Sequence, residues 1–555
     1  MEINEIVRQI LIKRGIVDEE DQLEFISAKP RRAYDPFLLK DMDKAVDIMD
    51  SALKAKKKIC IYGDYDADGI TATALLIEVL SSVCADQSLI GYYIPLRQEG
   101  YGLNKEAIKQ IADEGYELIV TVDCGSMSKE EVKYAYELGM EILITDHHNV
   151  EMAERAEAPL INPKQDDCAY PFKGLAGVGV AFKLAQAMLK KGLIEKEVLT
   201  SVADLVAIGT MGDIMPLLDE NRTIVKFGLA VINTGHRKGL KLLIDRVLPN
   251  AGVISADNVA YQIVPHLNAC GRVNDPKDAV DLLISQDDIQ LNSLLEKVLD
   301  NNSLRKKMQD EDYKTCVDCI GDEGQAFIIV KSNDIHEGIA GIVAGKLKEK
   351  FNRPAVVLTP IDGEDAYKGT GRSIDGVNLH DILDEQKDLF DRFGGHAGAC
   401  GFTLPFENFD KFQENCRMIM ARLEADDLDL YQRKYKVDLK IDLADATLSL
   451  AQDLRILEPF GEGNKKPLFE IKALSPKFIN FMGDNQQHVR FMVGDSKGEA
   501  LNCVAFNIEP AMKDSLESGE RIDIQGNLEI NEWNGKSKAQ FYVENIKLSQ
   551  EGNIC

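Results

Sequence analysis

The chain has 555 residues, with 65 Lys and Arg against 92 Asp and Glu, a formal net charge of −27 and 45% hydrophobic residues. That length is too great for one core and calls for about two to four domains, and the ordinary composition excludes a disordered or low-complexity chain. The acidic balance excludes a surface that coats nucleic acid generally, because phosphate binding runs on Lys and Arg; any such site has to be a local basic funnel.

No segment approaches the ~20 apolar residues of a membrane helix, and the charged opening MEINEIVRQILIKRG lacks the build of a signal peptide. The reading is a cytoplasmic monomer without membrane contact. The 11 cysteines are odd in number and sit mostly in apolar runs, which suits reduced thiols. Cys316 and Cys319 in CVDC have no second pair to complete a zinc site.

Residues 1–50 read as a helical lead-in. From 51 to about 285 strands and helices alternate: KKICIYGDYD, ITATALLIEVLSSV, SLIGYYIPL, NKEAIKQIADEG, ELIVTVDCG, SKEEVKYAYELG and EILITDHH. This alternation predicts an α/β, doubly wound parallel sheet, with ligands at the carboxyl ends of the strands. A polar helix over 286–318 reads as a connector. A smaller α/β unit follows over 319–430, with strands QAFIIVKS and RPAVVLTP and two glycine-rich turns, KGTGRSI and FGGHAGACGF. Short alternating strands with an Asn-Gly hairpin over 435–550 predict an all-β, OB-like barrel.

The run IYGDYDADGI sets Asp64, Asp66 and Asp68 on alternate positions before a glycine. A calcium loop of that form needs Glu at its twelfth position, where this chain has Leu75. Two further strands end in acids, Asp123 in VTVDCG and Asp146 in LITDHH, and clustered carboxylates repel unless a cation offsets them. His147, His148 and Asp213 in GTMGD extend the cluster. Carboxylate and imidazole without thiolate suit manganese or magnesium, and the donors suffice for two ions in a phosphoester hydrolase.

The motifs DYDADG, VDCG, TDHH and GTMGD resemble, in order, those of the DHH phosphoesterase superfamily; HEGIAGIVAGKL, GTGRS and GGHAGACGF resemble its DHH-associated domain. PLRQEGYGL, LNACGR and EPFGEGN are similar to segments of its bacterial single-stranded-DNA exonucleases. The resemblance implies a 5′ to 3′ exonuclease that releases 5′-mononucleotides in DNA repair and recombination, with two divalent ions, manganese preferred. It implies Asp66, Asp68, His147 and Asp213 as ligands, Asp123 as the bridge, and His148 beside the scissile phosphate with Asp146 in the same motif. Single-stranded DNA is the implied partner, with a RecQ-type helicase and a single-strand-binding protein as helpers. Many superfamily members carry a metal-binding His where this chain has Tyr62, so Tyr62 and Asp64 are candidates for a supporting role.

Hydrolysis of a diester needs donors on the non-bridging oxygens. Arg272, Arg372 and His396 are the candidates, with Ser373 and Gly395 in the same glycine-rich segments and Arg97 near the strand's 5′ end. In the barrel, Trp533, Phe506 and Phe541 are candidates for base stacking. Two other readings are a DHH phosphodiesterase for oligoribonucleotides or cyclic dinucleotides and an inactive replication scaffold. The barrel argues against the first, the full set of acids against the second.

Overall fold

The computed structural model describes residues 3–320, 325–495, 498–533 and 535–549, apart from the Trp533 side chain. The chain opens with α1 (Glu5–Lys13), α2 (Glu19–Ile26) and α3 (Met42–Ala55). These do not form one lead-in. α3 buries Met42, Ala45, Val46 and Met49 in the core of the first sheet, whereas Val7, Ile10, Leu11 and Phe25 join the core of the C-terminal barrel. An apolar stripe is visible in a helix's sequence; the element that covers it is not.

The first sheet contains β1 (Ile59–Tyr62), β2 (Ile90–Tyr93), β3 (Leu118–Val122), β4 (Glu141–Thr145) and β5 (Leu160–Ile161), all parallel, in the order β2-β1-β3-β4-β5. β1 and β3 are buried at every position, as strands covered on both faces must be. One face packs α4 (Ala67–Ser81) and the later helix Gly177–Lys190; the other packs α5 (Lys105–Asp113) and α6 (Lys129–Glu137).

A helix of 33 residues, Asp288–Ile320, joins two cores: Leu291, Leu295 and Val298 pack on the first, Cys316 and Ile320 on the second. The second sheet contains β6 (Ile328–Lys331), β7 (Ala355–Pro360), β8 (Ala366–Arg372), β9 (Arg392–His396) and β10 (Ala399–Pro405) in the order β6-β7-β8-β10-β9, with only β6 and β7 parallel. The two glycine-rich segments expected as turns are strands here, β8 and the β9–β10 hairpin. Their glycines make room: a Cβ at Gly369 would stand 2.3 Å from the Phe402 ring, and one at Gly371 would stand 2.6 Å from Leu379. Glycine content marks close approach as readily as a turn.

The barrel contains β11 (Leu439–Lys440), β12 (Phe469–Met482), β13 (His488–Gly494), β14 (Ala500–Phe506), β15 (Ile522–Trp533) and β16 (Lys536–Leu548), closed by pairing of β12 with β15. In the hairpin between β15 and β16, Gly535 has φ +71°, and Asn534 lies outside the described residues. Buried Arg222, in the helix Asp219–Ile232, ties three parts together. It donates to Phe25 O at 2.8 Å, Leu457 O at 3.0 Å and Glu458 O at 2.8 Å. EPFGEGN thus docks the barrel on the first domain. Among the described residues no helix is long and apolar enough to cross a membrane.

Candidate metal centre and nucleic-acid interface

β1, β3 and β4 end side by side, and the loops leaving them carry the acids. Asp66 caps α4, accepting from the N–H groups of Asp68 at 2.9 Å and Gly69 at 3.1 Å. Asp68 accepts from Gly177 N–H at 2.7 Å and Val178 N–H at 2.8 Å, so a helix N-terminus fixes each carboxylate. Asp123 has φ +63° and lies so close to Gly177 that a Cβ there would stand 2.5 Å from its carboxylate. His147 Nε2 lies 3.1 Å from Asp123 Oδ1, 3.5 Å from Asp213 Oδ2 and 3.9 Å from Asp68 Oδ2.

Donor atoms of Asp68, His147 and Asp213 lie within 4.8 Å of one another, as do those of Asp64, Asp66 and Asp123. The two triplets adjoin through the contact between Asp123 and His147. Asp64 Oδ1 and Asp123 Oδ1 are buried without a hydrogen-bond partner among the described residues. Buried carboxylate oxygens left open in this way fit a divalent cation, and the oxygen and imidazole donors fit manganese or magnesium.

Burial first, and neighbouring carboxylates second, push Asp64, Asp68 and Asp123 well above the usual carboxylate range. The same causes push Asp213 up to about 7. Burial holds His147 down to about 3, leaving a neutral imidazole of the kind a metal requires.

Asp146 behaves differently. Burial disfavours its anion, yet bonds from His148 Nδ1 at 2.8 Å and Ser126 N–H at 2.9 Å hold it below the usual range. Its carboxylate organises the Asp-His-His turn. Burial likewise opposes the His148 cation, but Asp146 raises it to about 9.

Tyr101, not singled out from the sequence, donates its hydroxyl to Asp123 O at 3.1 Å and stands 3.2 Å from His148 Nε2. Its place in EGYGL is the only signal it leaves there. Tyr62 points elsewhere: its hydroxyl donates to Gly102 O at 2.9 Å and its ring stacks on Tyr93 in the α5 side of the core. The structure therefore brings Asp64, and not Tyr62, to the acids.

Two arginines act on the acids, Arg97 on Asp64 and Arg272 on Asp66, and Arg305 and Arg372 stand near Arg272. Arg272 donates to Gly338 O at 3.1 Å, Arg97 donates to Gly271 O at 3.3 Å over the Tyr65 ring, Arg305 is held by Asn302 and Gln309, and Arg372 donates to Gly371 O. Burial and then Arg97 bring Arg272 down to about 10, with Arg305 and Arg372 adding to the repulsion and Asp66 opposing it. Among the described residues none of the four forms an ion pair, in a chain of 92 acids. Arg372, Ala399 and His396 share one rung across β8, β10 and β9. Ser373 spends its hydroxyl proton on Val377 O at 2.7 Å, bracing the Arg372 loop, and Gly395 sits at φ +139° beside His396.

A cavity of about 1280 Å³ runs between the three parts, lined by Arg272, Arg305, Lys434 and Lys465 among others. Of the barrel aromatics, Phe541 is fully buried core, which removes it as a stacking residue; Phe506 is exposed and stacks near Tyr542. The Trp533 side chain lies outside the described residues.

Three family models match in order: the DHH family N-terminal domain over 58–210, the DHHA1 domain over 324–422 and the RecJ OB domain over 437–545. A Bacillus subtilis protein described as single-stranded-DNA-specific exonuclease RecJ is 37% identical, across 99% of this chain and 69% of its own length. The chain belongs to the RecJ family. A solved RecJ from Thermus thermophilus in complex with Mn2+ superposes with a TM-score of 0.80 at 27% identity, covering 98% of this chain and 76% of that one. A second, with Mg2+, gives 0.76 at 25% identity over 98% and 75%. RecJ relatives thus hold divalent ions, and this chain has a fitting set of donors.

Proposed function

We infer that the chain is a single-stranded-DNA-specific exonuclease that hydrolyses phosphodiesters from the 5′ end and releases 5′-mononucleotides. The observation that carries this reading is the juxtaposition of buried, open carboxylates with arginines that lack acidic partners among the described residues, two of which, Arg272 and Arg305, line the adjoining cavity.

In this reading Asp64, Asp66 and Asp123 would hold one divalent ion and Asp68, His147 and Asp213 would hold another, with Asp123 in reach of both sets through its contact with His147, manganese for preference. When bound, such a pair lowers the pKa of a water and offsets charge on the phosphate oxygens. Arg272 and Arg372 donate to non-bridging oxygens, with Arg97 and His396 flanking them. His148, kept cationic by Asp146, faces the scissile phosphate and Tyr101 fixes its ring. Lys434, Lys465 and Phe506 give the longer strand a path toward the barrel. A groove that admits one strand needs DNA already unwound, which suits a RecQ-type helicase and a single-strand-binding protein as helpers.

The test is digestion of 5′-labelled and 3′-labelled single strands and of blunt duplex, with and without manganese. The reading expects the 5′ label to leave first as a mononucleotide, only with metal, and the duplex to resist. Release of the 3′ label first, or faster cleavage of a dinucleotide than of a long strand, would overturn it.

A further inference from the structure

We propose that Ile214 and Tyr261 form an apolar clamp that takes an unstacked nucleobase of the strand beside the metal centre. The inference rests on the exonuclease reading and adds to it a base-binding element.

The helix Ala203–Gly212 ends at Asp213 with a two-bond cap: Met215 N–H donates to Thr210 O at 3.1 Å and Ile214 N–H to Met211 O at 3.3 Å. The residue after the cap must adopt the left-handed conformation, and glycine usually fills that position. Here it is Ile214, at φ +55°. A β-branched side chain is disfavoured there, so something other than the turn selects it. Packing does not, because Ile214 is 71% exposed. It follows Asp213 directly and projects into the groove.

The segment Val259–Ile263 widens into a single π-helical turn, a departure from the α-helix that recurs at functional sites. Val259 and Ile263 are buried, while Tyr261 turns outward and is 78% exposed. Ile214 and Tyr261 line the same cavity as Arg272 and Arg305. Single exposed apolar residues are ordinary. Two in one cavity, one of them on disfavoured backbone and both near arginines without acidic partners, fit a ligand with a charged backbone and a flat apolar face. A nucleotide of a single strand is such a ligand. A base in duplex is already stacked on its neighbours, and stacking on tyrosine accepts any base.

The test is equilibrium binding without metal, so that no strand is cut, by anisotropy of a labelled 5′-phosphorylated strand. One version carries all its bases and another is abasic at about three 5′ nucleotides. Wild type should bind the abasic strand about 10-fold more weakly. Ile214→Gly and Tyr261→Ala should each lose about 5- to 10-fold on the base-bearing strand and little on the abasic one. Ile214→Gly should also melt higher than wild type, since glycine relieves the turn. A variant that keeps the wild-type discrimination, or loses equally on both strands, would overturn the clamp. Degradation of the base-bearing strand by wild type with manganese is scored separately. Absent degradation counts against the exonuclease reading, whereas degradation without base discrimination counts against the clamp alone.

Discussion

Beside the same groove the first sheet gathers carboxyl groups, while the connector and its neighbours gather half-buried arginines. Around β1, β3 and β4, Asp64, Asp66, Asp68 and Asp123 crowd together without an ion pair to a lysine or arginine among the described residues. Across the groove Arg272, Arg305 and Arg372 stand without a carboxylate partner among the described residues. Ion pairs elsewhere show that the chain does neutralise buried charge: Arg237 binds Asp204 at 2.6 Å, and buried Lys183 pairs with Glu220. Groups left open in this way fit ligands of opposite charge, which the proposed function takes to be a cation on one side and a phosphate on the other.

The largest effect should come from the acidic side. Asp123→Ala removes the carboxylate of one donor triplet that touches His147 of the other, and manganese-dependent hydrolysis should fall by more than about 10³-fold in protein whose circular dichroism is unchanged. Activity within tenfold of wild type would break the comparison at its strongest point.

Arg272→Met tests the other side. Loss of about 10²-fold in kcat/KM is expected, with manganese bound as tightly as before or more tightly, since a cation near Asp66 has been removed. Weaker manganese binding would place Arg272 on the wrong side of the comparison.

The comparison also has a pH signature. Raised carboxylates such as Asp213, pushed up to about 7, stabilise the metal-free fold fully only below their ordinary pKa and lose that contribution as pH rises through the folded value. Melting of metal-free protein should therefore move down between about pH 5 and pH 8, and manganese should restore it at the upper end. A flat profile would mean that the acids are neutralised from within.

The smallest effect belongs to Tyr101→Phe. The hydroxyl bonds Asp123 O and His148, so its loss should lower kcat by about tenfold or less, with KM little changed and the alkaline limb of the pH profile shifted. An unchanged profile would leave Tyr101 a packing residue.

Much of this was legible in the sequence, for particular reasons. Asp123 and Asp146 end apolar runs of strand length, and in a parallel sheet every such end points the same way, so their convergence follows from the pattern alone. Asp146 nevertheless holds a turn together rather than joining a donor triplet, a distinction that only its bonds to Ser126 and His148 reveal. Arg305 reads as one charge among many on a polar helix; it becomes part of the arginine group because the connector crosses the groove. β8, β9 and β10 read as turns because glycine content cannot distinguish a bend from a strand crowded by Phe402 and Leu379. Residues 1–50 read as one helical lead-in, whereas the partner of α1 and α2 lies at the other end of the chain.

In the proposed function Asp123 would couple two ions. Titration of metal-free protein with manganese, followed by electron paramagnetic resonance at each addition, tests it most directly. Two bound ions with a spin-coupled spectrum are expected in the wild-type protein, as for ions about 3.5 to 4 Å apart, and one uncoupled ion in Asp123→Ala. A single uncoupled ion in the wild-type protein at saturation would contradict it.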